Sequence, residues 1–183
     1  MEKLNFQDLA FLRMESPQRP FHVAGLLVFS PPASAPPDYL RRLARDIGAG
    51  LPRIDALFRR RLEAVASSAP YWVEADDYDP AYHVHHYALP QPGRMEDLLA
   101  LLSRTHERLL DRSRPLWEWH LVEGLPRKRF GLYCKVHHSL MDGVGAMRMI
   151  NKVLSEDPHT PFGSGHTGAA PEAHAGNPSP GWF

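Results

Sequence analysis

Cysteine is nearly absent: Cys134 is the only one in 183 residues. One thiol cannot close an internal disulfide, which fits a reducing compartment. Net charge is missing too. Lys and Arg number 21, and so do Asp and Glu. No basic excess therefore steers the chain to nucleic acid. No apolar run approaches the roughly 20 residues of a membrane-spanning helix, so any membrane contact is expected to be peripheral. Met1-Glu2-Lys3 does not begin the charged-then-apolar order of a secretory leader, and a cytoplasmic location is expected. A phosphate-cradling glycine loop, a Gly-x-Ser-x-Gly elbow and internal repeats are also lacking, which sets aside P-loop and serine-elbow chemistry.

What is present is enough for a core, with apolar residues at 43%. Leu4, Leu9, Phe11 and Leu12 predict a short helix over 4–15, stopped by Ser16-Pro17. His22 to Phe29 reads as a buried strand ended by Pro31-Pro32. Asp38 is placed to cap a helix carrying Leu40, Leu43, Ala44 and Ile47, with Gly48 and Gly50 ending it. Pro52 to Phe58 reads as irregular. Arg59-Arg60-Arg61 is either a solvated strand edge or a cationic patch for a phosphate-bearing donor or anionic lipid. Tyr71-Trp72-Val73 is a short strand candidate.

In His83-Val-His-His86, strand alternation puts His83 and His85 on one face. That pair could hold a metal, but no third ligand is visible, and no metal site is expected. Met95, Leu98, Leu99, Leu102, His106, Leu109 and Leu110 trace the strongest helical stripe. Next comes a strand with Trp117, Trp119 and Leu121 on one face and Glu118, His120 and Val122 on the other. Gly124 to Lys128 forms a hairpin turn. From Ser155 onward Pro, Gly, Ala, Ser and His dominate, so 155–183 reads as a flexible linker and 1–154 as the folded part.

The most informative stretch is Lys135-Val-His-His-Ser-Leu-Met-Asp-Gly-Val-Gly145. Phe130, Leu132, Cys134 and Val136 alternate with polar or small residues as in a strand. Alternation puts His138 on their face and His137 on the other. Val144, Met147, Ile150 and Leu154 then recur at helical spacing, so Asp142 sits near a helix start where it can cap free amides. Three readings fit this spacing: a satisfied core histidine beside a capping Asp, a metal site, and a general base. Adjacent strand histidines point apart and chelate poorly. A neutral imidazole can take a proton from a hydroxyl. Cys134 lies four residues from His138, about 13 Å along an extended strand, too far for a Cys–His pair. Ser139 is adjacent to His138 in a strand, so a Ser–His138 nucleophile is not expected.

His137-His138-Ser139-Leu140-Met141-Asp142-Gly143 resembles the His-His-x-x-x-Asp-Gly motif of the chloramphenicol acetyltransferase-like superfamily. Leu4–Leu12, Pro20–Phe29 and Arg114–Gly124, with its Pro115-Leu116-Trp117, are similar to bacterial wax ester synthase/diacylglycerol acyltransferases. The likeness covers about residues 3–154. It implies an α/β fold, a mixed sheet flanked by helices forming the N-terminal lobe of a two-lobed enzyme. It implies transfer of an acyl group from acyl-coenzyme A, as substrate with no resident cofactor, to a long-chain alcohol or diacylglycerol. The resemblance makes His138 the general base and His137 structural. Asp142 would fix the loop through a buried cation, and Gly143 would leave space beside the imidazole. The residues that bind coenzyme A are not identified. The implied partners are a C-terminal lobe, in the same enzyme or as a separate chain, and the surface of the inner membrane or of lipid droplets. Two alternatives remain: a condensation-type acyltransferase with a carrier-bound substrate, and a non-catalytic lobe needing a partner chain.

Overall fold

The computed structural model describes residues 2–63, 69–155 and 162. In chain order its elements are β1 (Glu2–Lys3), α1 (Phe6–Met14), β2 (His22–Phe29), α2 (Tyr39–Ile54), β3 (Arg60–Glu63), β4 (Tyr71–Glu74), the one-turn α3 (Pro80–His83), β5 (Val84–Ala88), α4 (Met95–Glu107), β6 (Trp117–Glu123), β7 (Phe130–His137) and α5 (Gly143–Val153). The main sheet runs β2-β7-β6-β5, and a smaller one runs β1-β4-β3. In the main sheet β2, β7 and β6 are antiparallel neighbours, while β5 lies parallel to β6. The expected mixed α/β sheet is therefore present.

The two faces of the main sheet bury different things. Trp117, Trp119, Leu121 and Leu132 pack with Ile47 and Leu51 of α2, Phe58, and Met149 and Val153 of α5. Trp117 is fully buried, and its indole N–H donates to Phe58 O at 2.8 Å, so its polar atom carries no desolvation cost. On the other face Val122 and Tyr133 pack against Leu98 and Leu102 of α4. This second layer becomes polar beneath the C-terminal end of α4.

Several local expectations are corrected. α2 does not stop at Gly48 or Gly50 but runs through Pro52 to Ile54, and a 3-10 turn, Ala56–Arg59, follows the stretch read as irregular. Gly48 permits close approach instead: a Cβ there would lie 2.9 Å from Pro80 Cβ. Pro52 has no N–H for the carbonyl of Gly48 four residues earlier. The Tyr78 hydroxyl donates to that oxygen at 2.8 Å, so the proline is accommodated without an orphaned carbonyl. Asp38 bonds Arg42 at 2.7 Å rather than capping α2. β2 has its expected bounds but lies at the sheet edge, and only His22 in it is buried. His83 ends α3 rather than sharing a strand with His85. In α5 the buried side chains are Met149 and Val153, while Val144 and Met147 of the predicted stripe are 60% and 58% exposed. The Arg run lies on the edge of the smaller sheet, with Arg59 against Glu74, Arg60 against Glu2 and Arg61 against Glu63. This agrees with the strand-edge reading. The linker expected over 155–183 falls outside the described residues except for Ser155 and Phe162, whose ring packs edge-on to Trp119.

Candidate active site

β7 delivers the histidine motif. His137 is its last residue, on the face that β7 presents to α4, and is fully buried. The backbone N–H of Ser139 donates to His137 Nδ1 at 3.1 Å, and the Ser139 hydroxyl lies 2.7 Å from the same nitrogen. Nδ1 therefore accepts, and the ring proton sits on Nε2. Nε2 faces Glu15 Oε1 at 3.2 Å, off the line of a good hydrogen bond. Glu15 follows α1 and is itself buried. It accepts from the Phe21 amide at 3.2 Å and from Arg112 at 3.0 Å. Burial pushes the His137 pKa below its ordinary value. Burial would raise Glu15, but the Phe21 amide and Arg112 outweigh it and hold the carboxyl low. The pair is a neutral imidazole against a carboxylate.

A serine, a histidine and a glutamate thus stand in line, but the serine pairs with His137, not His138. Ser139 is 5% exposed and His137 fully buried, so the line is closed to substrate. It works as a latch on the turn.

His138 begins that turn. Its backbone N–H donates to Phe21 O at 2.8 Å, which prolongs the β2–β7 pairing by one bond. Its ring packs on Phe11 with centroids 4.5 Å apart. His138 Nδ1 is buried with no hydrogen-bond partner among the described residues. The turn closes through Leu140 N–H to His137 O at 2.9 Å. Asp142 then caps α5, accepting from Gly145 N–H at 2.6 Å. It is exposed, and its partner is a backbone amide rather than the expected buried cation. A Cβ at Gly143 would meet nothing within 4 Å, so nothing in this part of the protein requires glycine there. The structure thus brings His137, His138, Asp142 and Gly143 onto one strand–turn–helix unit.

Beside the unit, a cavity of about 230 Å³ is lined by Val136, Cys134, Trp119, Met141, Gly143 and Met149 among others. It lies on the sheet face away from His137. Burial pushes the Cys134 thiol far up, so it is packing and not a nucleophile.

The opposite face carries a buried polar layer that spacing did not reveal. Lys135 is fully buried, and its ammonium donates to Thr105 O at 2.9 Å and to Arg108 O. These carbonyls lie at the C-terminal end of α4, where a helix leaves acceptors unpaired and favours a cation. His22 Nε2 lies 2.5 Å from His106 O, and His106 Nδ1 lies 2.6 Å from the Tyr133 hydroxyl.

The model of the wax ester synthase/diacylglycerol acyltransferase catalytic domain matches residues 4–182. The chain belongs to this family. A probable diacylglycerol O-acyltransferase of Mycobacterium tuberculosis is 44% identical over 160 residues, covering 86% of this chain and 35% of its own length. An O-acyltransferase of Acinetobacter baylyi is 39% identical over 157 residues, covering 86% and 33%. The solved wax ester synthase/diacylglycerol acyltransferase from Marinobacter aquaeolei VT8 superposes with a TM-score of 0.78 at 47% identity, covering 86% of this chain and 38% of that one. The chain therefore spans about a third of the length of the relatives it matches. The starter condensation domain of rhizomide synthetase, at 16% identity and a TM-score of 0.60, shares the fold. The acetyltransferase-like architecture expected of a wax ester synthase/diacylglycerol acyltransferase is the one observed.

Sequence reasoning missed Glu15, Arg112 and Lys135. Glu15 had no signal, because its partner lies 122 positions downstream and no periodicity links them. Lys135 had none either: alternation sets it opposite the apolar stripe, on the half of the strand that reads as solvent-facing, and it is buried because the end of α4 covers that half.

Proposed function

We propose that this chain is the base-bearing N-terminal lobe of an O-acyltransferase that moves a fatty acyl group from acyl-coenzyme A to a long-chain alcohol or diacylglycerol. The observation that carries the reading is His138. Its ring stands in the turn after β7 with Nδ1 unpaired, while its neighbour His137 is used up in the Glu15–Ser139 latch. One imidazole holds the turn and the other is left for chemistry.

In the proposed step His138 takes the proton of the acceptor hydroxyl as the oxygen attacks the thioester carbonyl. The tetrahedral intermediate collapses, the C–S bond breaks, and the proton held by His138 passes to the departing sulfur, so that coenzyme A leaves as its thiol. No acyl-enzyme is required. The cavity beside the motif supplies an apolar wall for the acyl chain. Met147, which lines the cavity, and Val144, one residue past the lining Gly143, are exposed on α5 and would meet the C-terminal lobe that completes the channel. That lobe belongs to the same enzyme or to a partner chain. Lipid substrates imply work at a membrane or lipid-droplet surface. Among the described residues no helix is long and apolar enough to cross a membrane.

The test is an assay of the assembled two-lobe enzyme with acyl-coenzyme A and a long-chain alcohol. His138→Ala should lower turnover by about 100- to 10,000-fold, the usual worth of a general base. Wild-type turnover in this variant would remove His138 from the mechanism.

A further inference from the structure

On the sheet face turned away from the cavity, three donors that the proposed chemistry does not use come together. The parallel β5–β6 pairing sets His85 beside His120. Glu118, two residues earlier on β6, shares their face. One ligand atom from each of the three lies within 4.8 Å of the others. Glu118 Oε2 and His120 Nε2 are 3.3 Å apart.

His120 supplies the second observation. It is 2% exposed, yet among the described residues Nδ1 has no hydrogen-bond partner, and Nε2 has only the Glu118 carboxylate, 3.3 Å away and off the line of a good hydrogen bond. Burying a polar group without a partner costs about 1–3 kcal/mol. Apart from Glu118, nearby groups do not relieve it. The Tyr133 hydroxyl is engaged by His106, and Lys135 by the α4 carbonyls.

We propose that His85, Glu118 and His120 bind one divalent transition-metal ion of the zinc type. Two imidazoles and a carboxylate suit zinc, cobalt or nickel rather than calcium or magnesium. With bonds of about 2.0–2.1 Å, tetrahedral donors stand about 3.4 Å apart. Glu118 and His120 already have that spacing. The His85 ring, stacked on His120 with centroids 4.7 Å apart, must tilt to join them. It lies on the edge strand and is half-buried. Three protein ligands leave a fourth position for water. Bound there, the ion pins the edge strand β5 to the centre of the sheet. The site stands independently of the acyl-transfer reading, because its donors face α4 and not the cavity.

The experiment is a calorimetric titration of the 183-residue chain with zinc near neutral pH, paired with cobalt(II) absorption. One equivalent should bind, and cobalt should give the intense visible bands of a tetrahedral complex. His85→Ala and Glu118→Gln should each weaken zinc by at least about tenfold, the loss typical even of outer-shell partners, and should abolish the cobalt bands. His86→Ala should change neither, since His86 alternates to the other face of β5 and pairs with Glu123. Circular dichroism on each variant confirms the fold. His120→Asn is not relied upon, because its burial makes misfolding a rival cause. Failure of the wild-type chain to bind zinc, or unchanged affinity in both His85→Ala and Glu118→Gln, would overturn the proposal.

Discussion

His137 and Glu15 face each other at 3.2 Å with side chains 0% and 1% exposed, and that contact ties the end of α1 to the end of β7. Because the turn bearing His138 starts from this junction, the pair is the support on which the motif rests. Glu15→Ala removes a buried carboxylate that also holds the Phe21 amide and Arg112. It should cost about 3 kcal/mol, read as a lower urea midpoint. Glu15→Gln, which keeps the shape, should cost less.

Asp142 works on the other side of the turn. Its carboxylate caps α5 through Gly145, so Asp142→Ala should cost about 0.5–2 kcal/mol. Asp142→Asn should recover most of that. Melting temperature and activity should fall together; an inactive variant with unchanged melting would show a direct chemical role instead.

Lys135→Met tests the buried polar layer. The substitution keeps the volume but leaves Thr105 O and Arg108 O without their donor. A loss of about 1–3 kcal/mol is expected, with amide exchange rising first in the last turn of α4.

Acid should weaken the fold before the carboxylates titrate. Burial, helped by Lys135 and His106, lowers the His22 pKa from 6.5 to about 4. Burial lowers His83, His85, His106 and His137 as well. In each case the unfolded chain takes up the proton at higher pH than the folded one. The stabilisation is complete above the unfolded value and is lost as pH falls through the window down to the folded one. For His22 that window is 6.5 to about 4. Each such group contributes a slope of up to about 1.4 kcal/mol per pH unit within its window. Melting temperature should drop steadily from about pH 6.5 toward pH 4. His22→Gln should flatten that slope.

Residues 1–183 alone should not turn over acyl-coenzyme A. The exposed Val144 and Met147 beside the cavity leave its mouth open to water, which competes with the alcohol for a thioester. Light scattering and an activity assay on one sample check this. The same apolar rim should drive self-association.

Where alternation or helical period ran unbroken, the sequence was legible. β6 and β7 fall where their period-2 pattern puts them, and α4 begins at Met95 as its stripe predicts. The motif's strand–turn–helix order was readable for the same reason. Legibility failed where a residue from elsewhere decided the outcome. The predicted α5 stripe named Val144 and Met147, but the helix buries Met149 and Val153 because the sheet lies on that side. The two other donors near His85 were invisible as such, since Glu118 and His120 reach it through a parallel pairing some 35 residues later. His137 and His138 could be told apart by face, but not by what held them. Glu15 had to be seen.

The Tyr78 hydroxyl on the Gly48 carbonyl makes α2 conditional. Read locally, Gly48, Gly50 and Pro52 order a break, and a peptide of this segment should unwind near Gly48. The intact chain overrules that order with a donor thirty positions downstream. The last turns of α2 are therefore completed by the loop that follows β4 and carries Tyr78. At the end of this helix a hydroxyl does the work of a missing amide.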